Sequence, residues 1–129
     1  MIKTEKLCKK FGSIQAVDRI SLSIEDNSIF GLAGTNGAGK STFLRMLSGV
    51  LKPDSGKITV DKETVYENPR IKGEIFFLPD TAYFFQNATI EDMAEFYSVY
   101  YPRYDRKRLS RLLGKIGLDP KRKISTFSK

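Results

Sequence analysis

Residues 34–42 read Gly34-Thr35-Asn36-Gly37-Ala38-Gly39-Lys40-Ser41-Thr42, a full G-x-x-x-x-G-K-[ST] pattern. Glycines in this spacing leave no Cβ between backbone and ligand, so consecutive N–H groups can converge on an anion. A helix starting directly afterwards adds unsatisfied N–H groups and a partial positive charge of order half a unit. Lys40 supplies a full charge toward the β and γ phosphates of a nucleoside triphosphate. Ser41 offers a hydroxyl to the octahedral shell of Mg²⁺, and Thr42 places a second hydroxyl near the α phosphate. The chemistry written into these residues is the holding of a triphosphate and its metal.

Positioning that loop takes a strand before it and a helix after it. An apolar run from Ile29 to Ala33 reads as the strand, and Phe43, Leu44, Met46, Leu47 and Val50 read as the helix. Upstream, Lys3 to Cys8 and Ala16 to Ile24 alternate polar and apolar residues around a Gly12-Ser13 turn, which predicts a small antiparallel sheet. Downstream, Lys52-Pro53-Asp54-Ser55-Gly56 is a turn, and Lys57 to Val60 with Glu63 to Tyr66 predicts a further hairpin. The segment Glu74-Ile-Phe-Phe-Leu78 is too apolar for half exposure and predicts a buried strand of a parallel sheet, ended by Pro79.

From Thr89 the period changes to that of helices. Thr89 and Asp92 form the pattern of a capping box, and Ile90, Met93, Ala94, Tyr97 and Tyr101 make an apolar stripe that stops at Pro102. A second helix is expected from about Asp105 to Ile116, closed by Gly117 and turned away by Leu118-Asp119-Pro120.

The 129 residues, 40% of them hydrophobic, are enough for one domain. The single cysteine, Cys8, excludes an intramolecular disulfide and fits a reducing compartment. No apolar run approaches a membrane span, and the start Met-Ile-Lys-Thr-Glu lacks the zones of a signal peptide. A cytoplasmic location is expected. Residues 1–101 carry a net charge of −1 and residues 102–129 a net of +8. Such a patch can serve nucleic acid or an anionic membrane face. Its pattern, with Leu109, Leu112, Leu113 and Ile116 spaced as a buried stripe among Arg106, Lys107, Arg108, Arg111 and Lys115, favours an ordinary solvated helix face.

Taken together, Cys8-Lys-Lys-Phe11-Gly12, the run Ala16-Val17-Asp18-Arg19-Ile20-Ser21-Leu22, the Gly-x-Asn-Gly-Ala-Gly-Lys-Ser-Thr loop and Leu51-Lys-Pro-Asp-Ser-Gly56 resemble the nucleotide-binding subunits of ATP-binding cassette (ABC) transporters. The resemblance spans the chain. It implies an α/β P-loop NTPase of the ABC ATPase type, truncated. Residues 1–28 and 57–72 would form an antiparallel β subdomain, 29–56 and 73–88 the nucleotide-binding core, and 89–129 the start of a helical subdomain. It implies ATP and Mg²⁺ as ligands, with Phe11 stacking on the adenine and Val17 lining the same slot. As partners it implies a membrane permease at the inner face of the cell membrane, met by the helices from Thr89 to Ile116, and a second cassette. Nucleic acid is not expected, although a soluble cassette ATPase acting on nucleic acid or ribosomes is the alternative reading.

Two departures from the family pattern matter. A glutamine normally ends the apolar strand after the hairpin; here its counterpart by spacing is Asp80, a shorter charged oxygen ligand for Mg²⁺, while Gln86 lies too far along. The same residues also read as the acidic Mg²⁺-binding strand of other P-loop enzymes, against which Pro79 and the family register argue. Second, Ile124-Ser125-Thr126-Phe127-Ser128-Lys129 resembles the approach to the Leu-Ser-Gly-Gly-Gln signature and stops after two positions, so Ser128 would face the γ phosphate held by a partner cassette. The rest of the signature, the acidic strand and the switch histidine are not here, and the chain contains no histidine at all. No catalytic set is complete. The expectation is a chain that binds ATP, hydrolyses it negligibly alone, and exposes unpaired strand edges that invite pairing or aggregation.

Overall fold

The computed structural model describes residues 1–81, 83–101 and 103–127. It divides into two units, residues 1–77 and residues 78–129.

The first unit is built on a four-stranded antiparallel sheet of order β2-β1-β3-β4, with β1 at Ile2–Phe11, β2 at Ile14–Ile24, β3 at Ser55–Val60 and β4 at Glu63–Thr64. Both expected hairpins are present. Gly12 turns β1 into β2, and Asp61 and Lys62, at φ 49° and 71°, turn β3 into β4. The β1–β2 ladder slips three times, between Thr4 and Leu7, between Leu7 and Lys9, and between Lys9 and Lys10. Lys6 and Arg19 take φ of 44° and 46° at the first two of these. Side chains replace the lost ladder bonds. The buried Thr4 hydroxyl donates to Ile20 O and accepts from Leu22 N–H, Ser21 Oγ accepts from Lys6 N–H, and Cys8 Sγ accepts from Arg19 N–H.

One face of the sheet packs on helix α1 (Lys40–Leu47) and on a four-residue helix α2 (Pro69–Lys72), an element beyond those the sequence pattern predicts. Its signal was present: Pro69 stands at the first helical position, and the Asn68 side chain caps the Ile71 N–H. Leu7, Val17, Phe43, Met46, Ile58, Val65 and Ile71 form the core, and burying a side chain such as Phe43 or Leu7 fully contributes about 2–3 kcal/mol.

The two apolar segments expected as strands do not form them. Ile29–Ala33 and Glu74–Leu78 have no ladder partner, with Ile29, Phe30, Phe76 and Leu78 exposed while Leu32 and Ile75 pack against the core. Burial along 74–78 still alternates, exposed and half-buried, as in an extended segment with one covered face. A strand exists only through its ladder partners, and among the described residues no strand pairs with either segment.

In the second unit, α3 (Ile90–Tyr100) opens with the expected capping box: Thr89 Oγ1 accepts from Asp92 N–H, and the Asp92 carboxylate accepts from Thr89 N–H at 2.8 Å. Pro102 lies outside the described residues; the helix ends at Tyr100. Helix α4 (Arg106–Ile116) is capped by Asp105 and ends at Gly117 in the left-handed region. A single turn of 3₁₀ helix follows at Ile124–Thr126. The unit's packing is aromatic, with Phe96 edge-on to Phe85 at 4.9 Å and against Tyr97 and Tyr100. The stripe on α4 is narrower than its spacing predicts. Leu113 is buried and Leu109 half-buried, but Leu112 is 50% exposed and Ile116 65%. Among the described residues, no helix is long and apolar enough to cross a membrane.

Candidate functional site

The phosphate loop is shaped by two glycines in the left-handed region, Gly37 at φ 83° and Gly39 at φ 82°. A Cβ on Gly37 would meet nothing within 4 Å. On Gly39 it would stand 2.0 Å from the Ala16 carbonyl oxygen and 3.5 Å from Val17 Cγ2. Gly39 is therefore the point where the loop touches strand β2, and it occupies the position just before α1 with no side chain to cap it.

Thr35 O accepts from Ala38 N–H at 3.2 Å, and Gly39 O accepts from Phe43 N–H at 2.8 Å. The start of α1 has no side-chain cap and no acidic residue in its first turn. Its leading N–H groups and positive end are thus left to an anion. The Lys40 ammonium folds back on the loop, donating to the carbonyls of Gly34 and Thr35 at 2.6 and 2.7 Å. Asn36, Ala38 and Ser41 are exposed, and Thr42 is half-buried. This donor set fits a triphosphate: glycine where a Cβ cannot stand, an uncapped helix end, and a lysine within one side-chain swing of the cradle. Ser41 is the hydroxyl in it that fits Mg²⁺.

The sequence-predicted base site lies on the same unit. Phe11 ends β1, faces Ile14 across the turn, and is 49% exposed. Val17 is buried in the core, pairs with Lys9 in the β1–β2 register, and stands beside Gly39. The approach of Gly39 to Ala16 thus joins the phosphate loop to the strand that flanks Phe11.

Two residues that sequence reasoning left out flank Phe11. The Lys9 ammonium sits 5.7 Å from the Phe11 ring centroid and 2.6 Å from Asp54 Oδ1. Asp54 Oδ2 also accepts from Lys10 N–H at 2.7 Å. The Asp54 carboxyl is held below the usual carboxylate range, by the Lys9 ammonium first and the Lys10 N–H next. A turn signal marked Asp54, but nothing local announced its partners 45 residues away.

Asp80 belongs to the second unit and is exposed in the segment before Thr81; Gln86 is exposed in the turn that precedes α3. Among the described residues, no group of three His, Cys, Asp or Glu is arranged to hold a metal. Ser128 lies outside the described residues. On α4, Lys107, Arg108, Arg111 and Lys115 are exposed, and no salt bridge among the described residues involves them.

Comparison with known proteins places this geometry. The sequence pattern of one family, ABC transporter, matches residues 17–129. The ABC transporter ATP-binding protein YtrB of Bacillus subtilis is 30% identical over 128 residues, which is 99% of this chain and 44% of that protein. The bacitracin transport ATP-binding protein BcrA of Bacillus licheniformis is 30% identical over 131 residues, covering 99% and 43%. Among solved structures, an ATP-binding subunit of an ABC transporter superposes with a TM-score of 0.87 at 21% identity, covering 99% of this chain and 56% of that one. A dimeric ATP-binding cassette bound to ADP and Pi superposes at 0.72 with 22% identity, covering 99% and 63%. The chain spans about half the length of the relatives it matches.

Proposed function

Because this chain belongs to the ABC transporter family and carries its P-loop ATPase fold, we propose that it forms the ATP-binding half of a cassette whose hydrolysis of ATP drives a membrane permease. The observation that carries this is the phosphate loop, with its uncapped helix, its backbone contact at Gly39 and Lys40 held at its rim. In binding, Lys40 leaves the carbonyls of Gly34 and Thr35 for the β and γ phosphates, and the N–H groups from Gly37 to Thr42 close on the phosphate oxygens. Phe11 presents a flat apolar face to the base, and Val17 backs it. Mg²⁺ would supply charge neutralisation on the phosphates; Ser41 would be its hydroxyl ligand on the loop, and Asp80, which takes the sequence position of the family's glutamine, would be its carboxylate ligand.

On this reading the chain alone binds ATP but hydrolyses it negligibly. Phosphoryl transfer needs a group that orients water, and no histidine and no complete acidic strand stand in this sequence. In the whole protein, Ser128 meets the nucleotide of a second cassette, and α3 and α4 carry the permease-facing surface at the inner face of the membrane. A soluble cassette acting on nucleic acid or ribosomes is kept as the second reading by one observation, the exposed Lys107, Arg108, Arg111 and Lys115 of α4, which enter no salt bridge among the described residues.

The test is Lys40→Ala. It removes a charge directed at the phosphates, and ATP and inorganic tripolyphosphate both lose ~10–100-fold in affinity by titration calorimetry. With the original lysine, Mg-ATP at about a hundred times its dissociation constant stabilises the folded state by about 2.7 kcal/mol. Unchanged affinity in the variant, or no thermal shift in the parent, refutes the assignment.

A further inference from the structure

The tip of the β1–β2 hairpin is supported unequally. Strand β1 pairs with β3 as far as Cys8↔Ser55, and Lys9, Lys10 and Phe11 run on beyond that last pair with only β2 beside them. On the open side stands Asp54, the residue just before β3. Its N–H donates to Cys8 O at 3.0 Å, one carboxylate oxygen accepts from the Lys9 ammonium at 2.6 Å, and the other accepts from the Lys10 N–H at 2.7 Å. The Lys9 side chain is 13% exposed, and the ammonium that meets this carboxylate is also 5.7 Å from the Phe11 ring centroid. That is within the range of cation–π attraction. Asp54 is also seven residues past the end of α1, in the turn that brings the chain from the phosphate helix back to the sheet.

We propose that Asp54 and Lys9 clamp the end of β1 so that the Phe11 ring is held ready to stack on a nucleobase, making Asp54 a positioning residue for base recognition. The proposal rests on the reading of Phe11 as the stacking face. Asp54 does not touch the base. It fixes the Lys9 ammonium and the Lys10 backbone, and these fix the plane and depth of the ring. Without the carboxylate, the ammonium returns to water and the ring samples several orientations, so part of the stacking contact is lost on binding as ordering entropy. The phosphate loop has its own supports at Gly39 and Lys40, and the loss falls on the base end of the ligand alone. The clamp also ties the two ends of the nucleotide together mechanically, since the turn that carries Asp54 is continuous with α1.

The experiment is titration calorimetry on the intact protein with Mg-ATP and with magnesium tripolyphosphate, for Phe11→Ala, Asp54→Asn, Lys9→Met and the Phe11→Ala/Asp54→Asn double variant. Asp54→Asn is expected to weaken ATP ~5-fold and Lys9→Met by a similar factor, both leaving tripolyphosphate within about twofold. Phe11→Ala weakens ATP ~10-fold, and adding Asp54→Asn to it changes nothing further, because the clamp has no ring left to hold. Equal losses for both ligands, additive losses in the double variant, or no loss in Asp54→Asn and Lys9→Met would overturn the clamp. If Phe11→Ala separates ATP from tripolyphosphate while the clamp variants do not, the clamp fails and the stacking reading stands. If Phe11→Ala does not separate them, the stacking reading fails and takes the clamp with it. Lys9→Met keeps the test decisive should Asp54→Asn fold poorly.

Discussion

Substituting Gly39 and Gly37 by alanine, one at a time, separates two costs that a phosphate loop usually confounds. Both glycines sit near φ 82°, so each alanine bears the same left-handed penalty of about 1–2 kcal/mol. Only Gly39 has a backbone neighbour in the way, the Ala16 oxygen 2.0 Å from the new Cβ, well inside the contact distance that real Cβ atoms keep. The obstacle is a carbonyl in a paired strand, so relief requires moving β2 or the loop, and overpacking of this kind costs about 1–3 kcal/mol more. Gly39→Ala is thus expected to destabilise the first unit by about 2–5 kcal/mol and Gly37→Ala by about 1–2. The assay is urea unfolding without nucleotide, followed by circular dichroism and by hydrogen exchange of the β1–β2 amides, which reports the first unit separately from the second. Protection at Val17 and Asp18 falls in Gly39→Ala and is unchanged in Gly37→Ala. Equal destabilisation by the two variants would show that the Ala16 contact is not tight, and the link drawn between phosphate loop and base strand would go with it.

Two further outcomes follow from the packing and the electrostatics. Leu113→Ala removes a buried side chain and costs about 2–4 kcal/mol in the melt of the helical signal, whereas Leu112→Ala, half exposed on the next position, stays within about 0.5; similar costs would mean that Leu112 is covered in solution. In acid, Asp92 is held below the usual range by the Thr89 N–H and then its hydroxyl, Asp54 by Lys9, and Glu63 by Arg70. Folded values below unfolded ones give stability that is complete above the unfolded values, near pH 4, and that drains away as pH falls through the folded ones. Thermal melts are accordingly flat from about pH 5 to 7 and drop below about pH 4, and Asp92→Asn shallows that drop; an unchanged acid limb in the variant refutes the capping role.

What the sequence made legible was local. The phosphate loop, the Gly12 turn, the Thr89–Asp92 capping box and the Gly117 helix stop are each specified by residues within a few positions of one another, and each is where spacing put it. The two apolar runs at 29–33 and 74–78 read as strands, the second a buried one, and neither is a strand in the structure, because a strand is a property of a pair and burial is set by neighbours that periodicity does not see. The α4 stripe failed for a related reason: spacing shows which residues share a face, not how wide a surface the rest of the unit offers to cover it. Asp54 was visible only as punctuation, because its three partners are reached through the sheet. Asn68-Pro69 carries a local start signal, but a helix of one turn is shorter than any window in which a period can be counted.

The solvent-exposed apolar side chains of Ile29 and Phe76 bear on how such a protein is made. In a chain as long as the relatives it matches, these runs leave the ribosome well before the second half of the sequence does. At synthesis rates of 5–20 residues per second, the interval is of order ten seconds. Through that interval the phosphate loop and the small sheet can already be formed while two greasy ribbons wait in solution.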